Sequence, residues 1–404
     1  MKIVQINAVY KKSSTGRTCE ELERELVKKG HLVVTAYGIG STNTENSFRI
    51  GNKLDTKLHG LLSRVTGLQG YFSIIPTIKL IKYMKDYKPD IVHLRNLHSN
   101  YINIPMLLKY LGKNDIATVI TLHDCFLYTG KCTYYFQEKC EKWQTGCGNC
   151  PRKGKDNKSW FFDFSLKMWK DKKKNFENIK RLAVVGVSDW TAEHAKKSIL
   201  KSAKEIKRIY NWIDLDLFKP HEASELKEKL NLDDNFIILC IAQKWSNAKG
   251  VNVIKSLGEI MPENWRIVMI GELSEEIKLN EKVICMGTVS DTSILSDYYS
   301  MADVFVTPSV QETFGKTMAE ALSCGTPVIA FRSLAAPEII GEDDKCGYLV
   351  NENNPQLYLE KLKKIEENGK KEFAVNCRER SERYFDIEKN VEEYVKLYER
   401  LLKS

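Results

Sequence analysis

The segment 308–330 reads PSVQETFGKTMAEALSCGTPVIA and combines several features that suit a sugar-bearing ligand. Glu312 and Glu320 stand with seven residues between them, around the pair Phe314-Gly315. A glycine after Phe314 lets the backbone approach a ligand closely, because it carries no Cβ. Glu312, in the loop before this turn, offers a carboxylate to the same ligand.

A helix is predicted to begin near Lys316 or Thr317, directly after the turn. The first N–H groups of a helix lack backbone partners and lie at its positive dipole end, which suits a phosphate. Glu320 falls in the early turns of this helix, where its carboxylate can accept hydrogen bonds from two vicinal hydroxyls. The segment therefore predicts contacts with a sugar, a phosphate and a ribose.

Apolar, strand-like runs alternate with amphipathic helical runs along both halves of the chain, which predicts α/β domains with parallel sheets. The strand-like runs are KIVQINAV, LVVTAYGI, PDIVHL, ATVITLHD and RLAVVGVS, then NFIILCIA, WRIVMIGE, KVICMGTV, ADVFVTPS and TPVIAF. The length of 404 residues favours two domains. The break is predicted near residues 210–231, where strand character is lost.

The segment around Glu312 and Glu320 resembles the E-x7-E motif of the retaining, family-4 type glycosyltransferases of the GT-B fold. This resemblance implies two Rossmann-like, doubly wound domains that face each other across a cleft. The implied acceptor-side domain covers residues 1–211, with a Cys-rich insertion at 125–160, and a last helix, 387–404, packs back on it. The implied nucleotide-sugar domain covers residues 212–386.

The resemblance also assigns residues of the donor site. In the family the first Glu of the motif contacts the donor sugar and the second contacts the ribose, which places Glu312 at the sugar and Glu320 at the ribose. The family's backbone meets the nucleobase after the strand KVICMG. The other implied donor contacts are Thr288, Val289, Thr313, Phe314, Gly315, Lys316 and Thr317.

Two lysines, Lys244 and Lys249, follow the strand NFIILCIA in the loop QKWSNAKGV. Two cations that converge here would neutralise a departing diphosphate, the main electrostatic demand of glycosyl transfer without a metal. The segment is similar to the family's Arg-x4-Lys-Gly element, with Lys244 in place of the Arg. Lysine lacks the bidentate fork of arginine, so the prediction is firmer for Lys249.

In the first half, His123 and Asp124 come directly after the strand ATVIT. Ligands bind beyond the carboxyl ends of strands in open α/β sheets, and a His at this point contacts the transferred sugar in the resembled family. Asp124 is interpreted as an acceptor-side base or as a group that orients His123. Gly16 precedes a helix predicted at Cys19, and the resemblance makes it a contact of donor diphosphate or acceptor.

Charge is divided unevenly: residues 1–210 contain 38 Lys and Arg against 19 Asp and Glu, a formal charge of +19, whereas the whole chain carries +9. The segment SWFFDFSLKMWKDKKK adds Trp160, Phe161, Phe162, Phe164 and Trp169 beside Lys167, Lys170 and Lys172–Lys174. The basic half suits anionic lipid or nucleic acid, or else is a solvated basic face. The aromatic segment suits an anionic membrane, or else a helix packed on its domain. Without a long apolar run or a leader-like start, the expected location is cytoplasmic, at the inner face of the membrane if the basic half binds lipid.

Four cysteines, Cys132, Cys140, Cys147 and Cys150, cluster with the spacing C-x7-C-x6-C-x2-C. Four thiolates complete a tetrahedral zinc site, and a closing C-x2-C around Gly and Asn is typical of a knuckle. Structural zinc is the favoured interpretation, with disulfides and free thiols as alternatives. A catalytic zinc is not expected, because four Cys ligands leave no open position.

Together with these residues, the family resemblance implies a retaining hexosyltransferase that uses a nucleotide sugar, with a UDP-sugar favoured, and needs no cofactor for catalysis. Its acceptor is expected to be a glycan or a lipid-linked saccharide in bacterial surface polysaccharide biosynthesis. One alternative is a GT-B nucleotide-sugar epimerase. Another is a basic, zinc-containing nucleic-acid-binding protein, which the sugar and phosphate elements of the acidic half disfavour.

Overall fold

The computed structural model describes residues 1–40 and 44–404 and divides the chain into two compact units. The N-terminal unit comprises Met1–Tyr210 together with Val391–Ser404, and the C-terminal unit comprises Asn211–Asn390. The chain therefore leaves the N-terminal unit once and returns to it within the last helix.

The N-terminal unit is built on a parallel sheet with crossover helices. Its strands are β1 Lys2–Val9, β2 Leu32–Ile39, β3 Ser47–Arg49, β4 Ile91–Leu94, β5 Ala117–Leu122, β6 Leu182–Gly186 and β7 Glu205–Arg208. Its helices up to the boundary are α1 Ser13–Lys28, α2 Lys53–Thr66, α3 Ile74–Tyr87, α4 Ile104–Lys113, α5 Lys142–Thr145, α6 Ser165–Glu177 and α7 Asp189–Lys197. The sheet order is β3-β2-β1-β4-β5-β6-β7, and every pairing is parallel.

The central strands of this sheet are buried on both faces. Every residue of β4, β5 and β6 is buried, which explains why these runs are almost continuously apolar rather than alternating. In register, Ile3 of β1 lies between Val33 of β2 and Ile91 of β4. Because the strands are parallel, the loops after β1, β4 and β5 emerge at the same edge of the sheet.

The last helix, α15 Ile387–Lys403, supplies the final piece of the N-terminal unit. The Tyr398 hydroxyl lies 2.8 Å from His93 Nδ1, and the Tyr394 hydroxyl lies 2.9 Å from Thr121 Oγ1. All four side chains are buried, so these polar groups satisfy one another within the core. His93 is thereby a structural residue that joins β4 to α15.

The C-terminal unit repeats the architecture with a smaller sheet in the order β10-β9-β8-β11-β12-β13, again entirely parallel. Its strands are β8 Phe236–Lys244, β9 Trp265–Glu272, β10 Val283–Gly287, β11 Val304–Thr307, β12 Val328–Phe331 and β13 Gly347–Val350. Its helices are α8 Ser224–Lys229, α9 Val251–Ile260, α10 Thr292–Met301, α11 Lys316–Ser323, α12 Ala336–Ile340, α13 Pro355–Asn368 and α14 Lys370–Tyr384. Across the described residues of both units, no helix is long and apolar enough to cross a bilayer.

The Cys-rich insertion, residues 125–160, is largely irregular in backbone yet packs into the core of the N-terminal unit. Trp143 of α5 is buried, and its carbonyl oxygen accepts a 2.8 Å hydrogen bond from Trp169 Nε1 of α6. The Trp143 ring also lies 5.4 Å from Tyr128 and 5.4 Å from Tyr135, between ring centroids. The insertion is thus held by a buried aromatic cluster.

Candidate functional site

The loops after β8 and β11 meet at the carboxyl edge of the C-terminal sheet, because these two strands are neighbours and run parallel. The Val310 N–H donates to the carbonyl oxygen of Ala248 at 3.1 Å, which joins the loops directly. Gly250 lies in the left-handed region with φ 79°, and a Cβ there would stand 2.4 Å from Pro308 Cβ. Glycine is therefore required where the loop before α9 crosses the loop before α11.

An ion pair between Lys249 and Glu312 lies at this junction. Lys249 Nζ is 2.5 Å from Glu312 Oε1, and the two side chains are 36% and 21% exposed. Partial burial limits the screening of this pair by water, so its interaction exceeds that of a fully exposed pair. The structure thus brings together one predicted phosphate contact and the predicted sugar contact.

The turn before α11 has the geometry that its sequence predicts. Gly315 has φ 82°, and a Cβ at this position would stand 2.1 Å from the Met318 methyl group. Phe314 is buried, with its ring 5.5 Å from that of Phe385, and Thr313 is buried beside it. The N-cap residue of α11 is Gly315, which has no side chain to cap the helix. The first turn of α11 includes Lys316 and Thr317, both partly exposed.

Glu320 lies in the second turn of α11 and is 3% exposed. Its Oε2 accepts a 2.9 Å hydrogen bond from the Tyr299 hydroxyl. Tyr299 itself is fixed in the core, since its ring centroid is 5.6 Å from that of Phe305 of β11. The predicted ribose contact is therefore oriented by a buried tyrosine that the sequence motif does not include.

Lys244 has a different partner from Lys249. Lys244 Nζ lies 3.0 Å from Glu272 Oε1, and the two side chains are 67% and 62% exposed. The two cations that were predicted to converge are thus held by separate carboxylates. Thr288, which is exposed, and Val289, which is partly buried, follow the edge strand β10.

Gln311 is a residue of this site that the sequence analysis missed. It is buried directly before Glu312, and its Nε2 has no hydrogen-bond partner within residues 1–40 and 44–404. A buried amide donor without a partner is costly unless a ligand or water satisfies it. The sequence gives no signal for it, because burial of a loop glutamine depends on the surrounding fold.

In the N-terminal unit, His123 follows β5 and pairs with Arg95, which follows β4. Arg95 Nη2 lies 2.9 Å from His123 Nε2, and both side chains are buried. A guanidinium group can only donate, so Nε2 must accept and the imidazole is neutral with its proton on Nδ1. Arg95 thereby sets the tautomer of His123, a role that the sequence analysis did not foresee.

Asp124 pairs with His98, with 2.9 Å between Asp124 Oδ2 and His98 Nε2. Its other oxygen accepts a hydrogen bond from the Phe126 N–H at 2.8 Å. Burial opposes ionisation of His98, but the adjacent carboxylate of Asp124 outweighs burial and raises the pKa of His98. Asp124 therefore orients His98 in this structure.

Gly16 lies inside a helix rather than in a loop before one. Helix α1 begins at Ser13, six residues before the predicted start at Cys19, so Gly16 falls in its first turn. The Lys11 N–H donates to the Gly16 carbonyl oxygen at 3.2 Å, and a Cβ on Gly16 would stand 3.3 Å from the Lys11 nitrogen. The absence of a side chain thus lets the turn after β1 pack tightly on α1.

The predicted zinc site is not supported. Within residues 1–40 and 44–404, no group of three or more His, Cys, Asp or Glu side chains is placed to hold a metal ion. Cys132, Cys140, Cys147 and Cys150 all line one small cavity. However, Cys132 Sγ contacts Cys150 Sγ at 3.8 Å, whereas Cys147 Sγ accepts the Gly130 N–H at 3.1 Å, and all eleven cysteines carry free thiols.

Helix α6, the basic helix after the aromatic segment, buries one of its lysines. Lys172 is buried, and its ammonium donates to the Phe126 carbonyl oxygen at 2.6 Å. Burial lowers the pKa of Lys172 to about 7. Trp169 is buried too, so α6 presents to solvent only part of the aromatic and basic set.

Two family models match the chain one after the other. The model described as Glycosyltransferase Family 4 matches residues 15–217, and the model described as Glycosyl transferases group 1 matches residues 222–384. The two matches fall on the N-terminal and C-terminal parts of the chain, respectively.

Two named relatives match this chain over different lengths. D-inositol 3-phosphate glycosyltransferase of Xylanimonas cellulosilytica is 28% identical over 229 aligned residues, and the match covers 50% of this chain and 54% of that protein. The putative colanic acid biosynthesis glycosyl transferase WcaC of Escherichia coli K12 is 26% identical over 330 aligned residues, and the match covers 78% of this chain and 77% of that protein. The chain thus spans about half the length of the first relative and about three quarters of the second.

Solved structures match over nearly the whole chain. Sucrose-phosphate synthase from Thermosynechococcus elongatus superposes with a TM-score of 0.72 at 17% identity, covering 100% of this chain and 99% of that one. HepE of Anabaena in complex with UDP-glucose superposes with a TM-score of 0.65 at 17% identity, covering 98% and 99%. At these identities the likeness establishes the fold, which is GT-B, and together with the family models it shows that the chain belongs to the family-4 glycosyltransferases.

Proposed function

We propose that the protein is a retaining glycosyltransferase that moves a hexose from a nucleotide sugar, with UDP-sugar favoured, to a glycan or lipid-linked acceptor in bacterial surface polysaccharide biosynthesis. The observation that carries this proposal is the Lys249–Glu312 ion pair directly before the start of α11. Further support comes from HepE, which binds UDP-glucose, and from WcaC, whose name refers to colanic acid. The C-terminal unit would hold the donor and the N-terminal unit the acceptor.

In the proposed reaction, the bond between the sugar's anomeric carbon and the donor diphosphate breaks, and a bond to the acceptor oxygen forms on the same face. A diphosphate oxygen takes the acceptor's proton, so no dedicated base is needed. Lys249, Lys244 and the N-terminal N–H groups of α11 would neutralise the departing diphosphate. These protein groups, rather than a metal ion, supply the positive charge in the mechanism we propose.

The remaining donor contacts follow from the positions of the side chains. Glu312 would position the sugar, while Glu320, oriented by Tyr299, would accept hydrogen bonds from the ribose hydroxyls. The unpartnered Nε2 of buried Gln311 would donate to the ligand. Nucleobase contacts are assigned to the backbone of Thr288 and Val289.

On the acceptor side we assign His123 a contact with the transferred sugar. Because Arg95 holds Nε2 of the ring, any hydrogen bond that His123 donates must come from Nδ1. Gly16, buried in the first turn of α1, is retained in this proposal as a contact of diphosphate or acceptor.

The donor assignment is tested by thermal unfolding with UDP-, GDP- and ADP-hexoses. A ligand at 100 times its dissociation constant stabilises the folded protein by about 2.7 kcal/mol. We therefore expect a UDP-hexose to raise the Tm most. We also expect the anomeric configuration of the transferred sugar in the product, read by NMR, to equal that of the donor. A larger shift with a GDP- or ADP-hexose would refute the choice of base, and an inverted product would refute retention.

We also propose that the N-terminal unit docks on an anionic membrane through exposed apolar side chains. Leu54, Leu58 and Leu61 follow one face of α2 at helical spacing, and each is between 48% and 75% exposed. The exposed residues Ile74, Ile75 and Ile78 of α3 and Trp160, Phe161 and Phe162 of the insertion extend this set, which we call the apolar face. These segments are joined, since Trp160 N–H donates to the Arg64 carbonyl oxygen at 2.7 Å and His59 Nδ1 lies 2.7 Å from Ser73 Oγ.

Charge favours an anionic bilayer as the occupant of the apolar face. Lys53 and Lys57 on α2 and Lys79 and Lys82 on α3 are exposed on the same helices. Each lysine near an anionic surface contributes about 1 kcal/mol. Apolar insertion combined with such a set of cations is the usual basis of interfacial binding.

Membrane docking predicts that the protein floats with vesicles that contain phosphatidylglycerol and not with pure phosphatidylcholine vesicles. In Leu58→Asp combined with Phe161→Asp, two apolar contacts worth about 1.5–3 kcal/mol each are lost, so bound protein should fall at least about 10-fold. Leu32→Asp is the matched control, because Leu32 is as exposed as Leu58, 59% against 58%, and lies outside the apolar face. Docking would be contradicted if the double variant and Leu32→Asp float equally well. It would also be contradicted if the wild type floats equally well with and without phosphatidylglycerol in the vesicles.

A further inference from the structure

The N-terminal unit contains a large cavity that none of the assigned sugar or phosphate contacts lines. Its volume is about 1020 Å³, and it is lined by Ile39 at the end of β2, by residues 56–69 of α2 and the turn after it, by the turn at Ser99 and Asn100, and by the insertion segment from Arg152 to Trp160. Pockets that bind drug-sized small molecules have volumes of about 300–1,000 Å³. The cavity is therefore large enough for a saccharide of more than one ring.

The wall of this cavity is positively charged. Four cations, Arg64, Arg152, Lys155 and Lys158, face a single carboxylate, Asp156, among the lining residues. Behind the wall, Glu138 pairs with Arg152 at 2.6 Å and with Lys155 at 2.9 Å, so two of the cations are compensated. In the described part of the chain neither Arg64 nor Lys158 has an ion-pair partner, which leaves both for an anionic ligand.

The same wall offers groups that recognise a sugar ring. Trp160, 51% exposed, lines the cavity and presents an aromatic surface, with its backbone tied to Arg64 by a 2.7 Å hydrogen bond. Gln69 and Asn100 stand beside it, joined by a 2.9 Å hydrogen bond from Gln69 Nε2 to Asn100 Oδ1. An aromatic face with a few fixed polar groups is the usual lining of a small-molecule site.

The insertion holds its part of the wall in a fixed position. Asn157 Nδ2 donates to the Lys131 carbonyl oxygen at 2.9 Å, and Lys131 Nζ donates to the Lys153 carbonyl oxygen at 2.9 Å. Arg152, buried at 6% exposure, donates to Glu138 and to Asp156, and its Nε has no partner in the described residues. This network arranges the cavity before any ligand binds, which reduces the entropic cost of binding.

We infer that this cavity binds an anionic saccharide, one that carries a phosphate or a carboxylate, as part of the acceptor; this inference rests on the proposed glycosyl transfer. Arg64 and Lys158 hold the anionic group, and Trp160 packs against a sugar ring. The anionic group is either a uronic acid of a glycan or the diphosphate of a lipid-linked saccharide. The second source is compatible with the position of Trp160 on the apolar face, where we propose that the membrane binds. The Cys-rich insertion thereby acquires a function as the scaffold of an acceptor site.

Direct binding to the full-length protein tests the inference with three probes: an oligosaccharide containing uronic acid, a saccharide on a short prenyl diphosphate, and a neutral oligosaccharide of equal length. We expect at least one anionic probe to bind more tightly than the neutral one. Arg64→Gln combined with Lys158→Gln removes two charge-assisted contacts and should weaken that binding at least about 10-fold. The matched control, Lys109→Gln combined with Lys113→Gln, changes two exposed lysines of α4, outside both the cavity wall and the apolar face, and should leave anionic-probe binding unchanged.

The probe that responds to the double variant identifies the source of the anionic group. Three results would overturn the inference: the neutral oligosaccharide binds more tightly than the anionic probes, none of the probes binds, or the double variant and its control lose equal affinity. UDP-hexose binding to the double variant should equal that of the wild type. A failure of UDP-hexose to bind even the wild type would refute the proposed donor, whereas the cavity is judged by the anionic probes alone.

Discussion

Glu312→Gln is expected to lower kcat/KM for glycosyl transfer at least about 100-fold, equivalent to about 2.7 kcal/mol of transition-state stabilisation, while the protein stays folded. The substitution keeps the shape of the side chain and removes its charge. Lys249 then loses the carboxylate that lies 2.5 Å from its ammonium, and the sugar loses the acceptor that fixes its position. Because both effects act on the reacting geometry, the loss should appear mainly in kcat.

The matched control is Glu263→Gln. Glu263 also pairs with a lysine, Lys282 at 2.6 Å, and lies in the C-terminal unit, but it is 90% exposed and outside the candidate site. Its turnover should stay within about twofold of the wild type, since exposed ion pairs contribute about 0–1 kcal/mol. If Glu312→Gln retains turnover within about threefold while its Tm is unchanged, the proposed sugar contact is wrong.

The geometry of the segment around Glu312 could be predicted from sequence because the segment is local. Glu312, Gly315 and Glu320 lie in one strand-loop-helix segment, so their spacing in the chain nearly fixes their spacing in space. The meeting of Lys249 with Glu312 needed only the rule that loops after neighbouring parallel strands share an edge. The resemblance to the family supplied the roles that were assigned to these positions.

Residues that act through distant partners could not be predicted in this way. Arg95 sets the tautomer of His123, and Tyr299 orients Glu320, yet neither pair is close in sequence. The cavity in the N-terminal unit likewise combines residues from four separate segments. Hydrophobic periodicity identifies elements, but it does not tell which polar side chains meet between them.

The fold class could be predicted from the alternation of apolar runs. The structure differs from two local predictions, the start of α1 at Cys19 and the zinc site of the four cysteines. Helix α1 starts at Ser13 because the turn after β1 closes through the hydrogen bond from Lys11 to Gly16, which no propensity rule reveals. For the four cysteines, spacing alone favoured zinc, but the fold engages Cys147 with a backbone N–H and Cys132 with Cys150. The spacing of cysteines along the sequence limits which of them can share a metal, but it does not determine where the fold puts their sulfur atoms.

The Cys-rich insertion is instead anchored by Trp143, and Trp143→Ala is expected to lower the free energy of unfolding by about 3–5 kcal/mol. The indole is buried against Tyr128, Tyr135 and His194, so its removal leaves a cavity that the surrounding rings fill only in part. Trp160→Ala is the matched control, because Trp160 belongs to the same insertion and is 51% exposed. Its cost should stay within about 0.5 kcal/mol, as for most surface substitutions.

Denaturant unfolding followed by circular dichroism measures both variants, and activity measured below the unfolding transition separates stability from function. A folded Trp143→Ala protein should lose the cavity's anionic-probe binding along with stability, because the segment from Arg152 to Trp160 would lose its support. Trp160→Ala should instead keep its stability and weaken probe binding. If Trp143→Ala unfolds at the same denaturant concentration as Trp160→Ala, the insertion is an appendage to the N-terminal core, and its aromatic cluster does not hold the cavity wall in place.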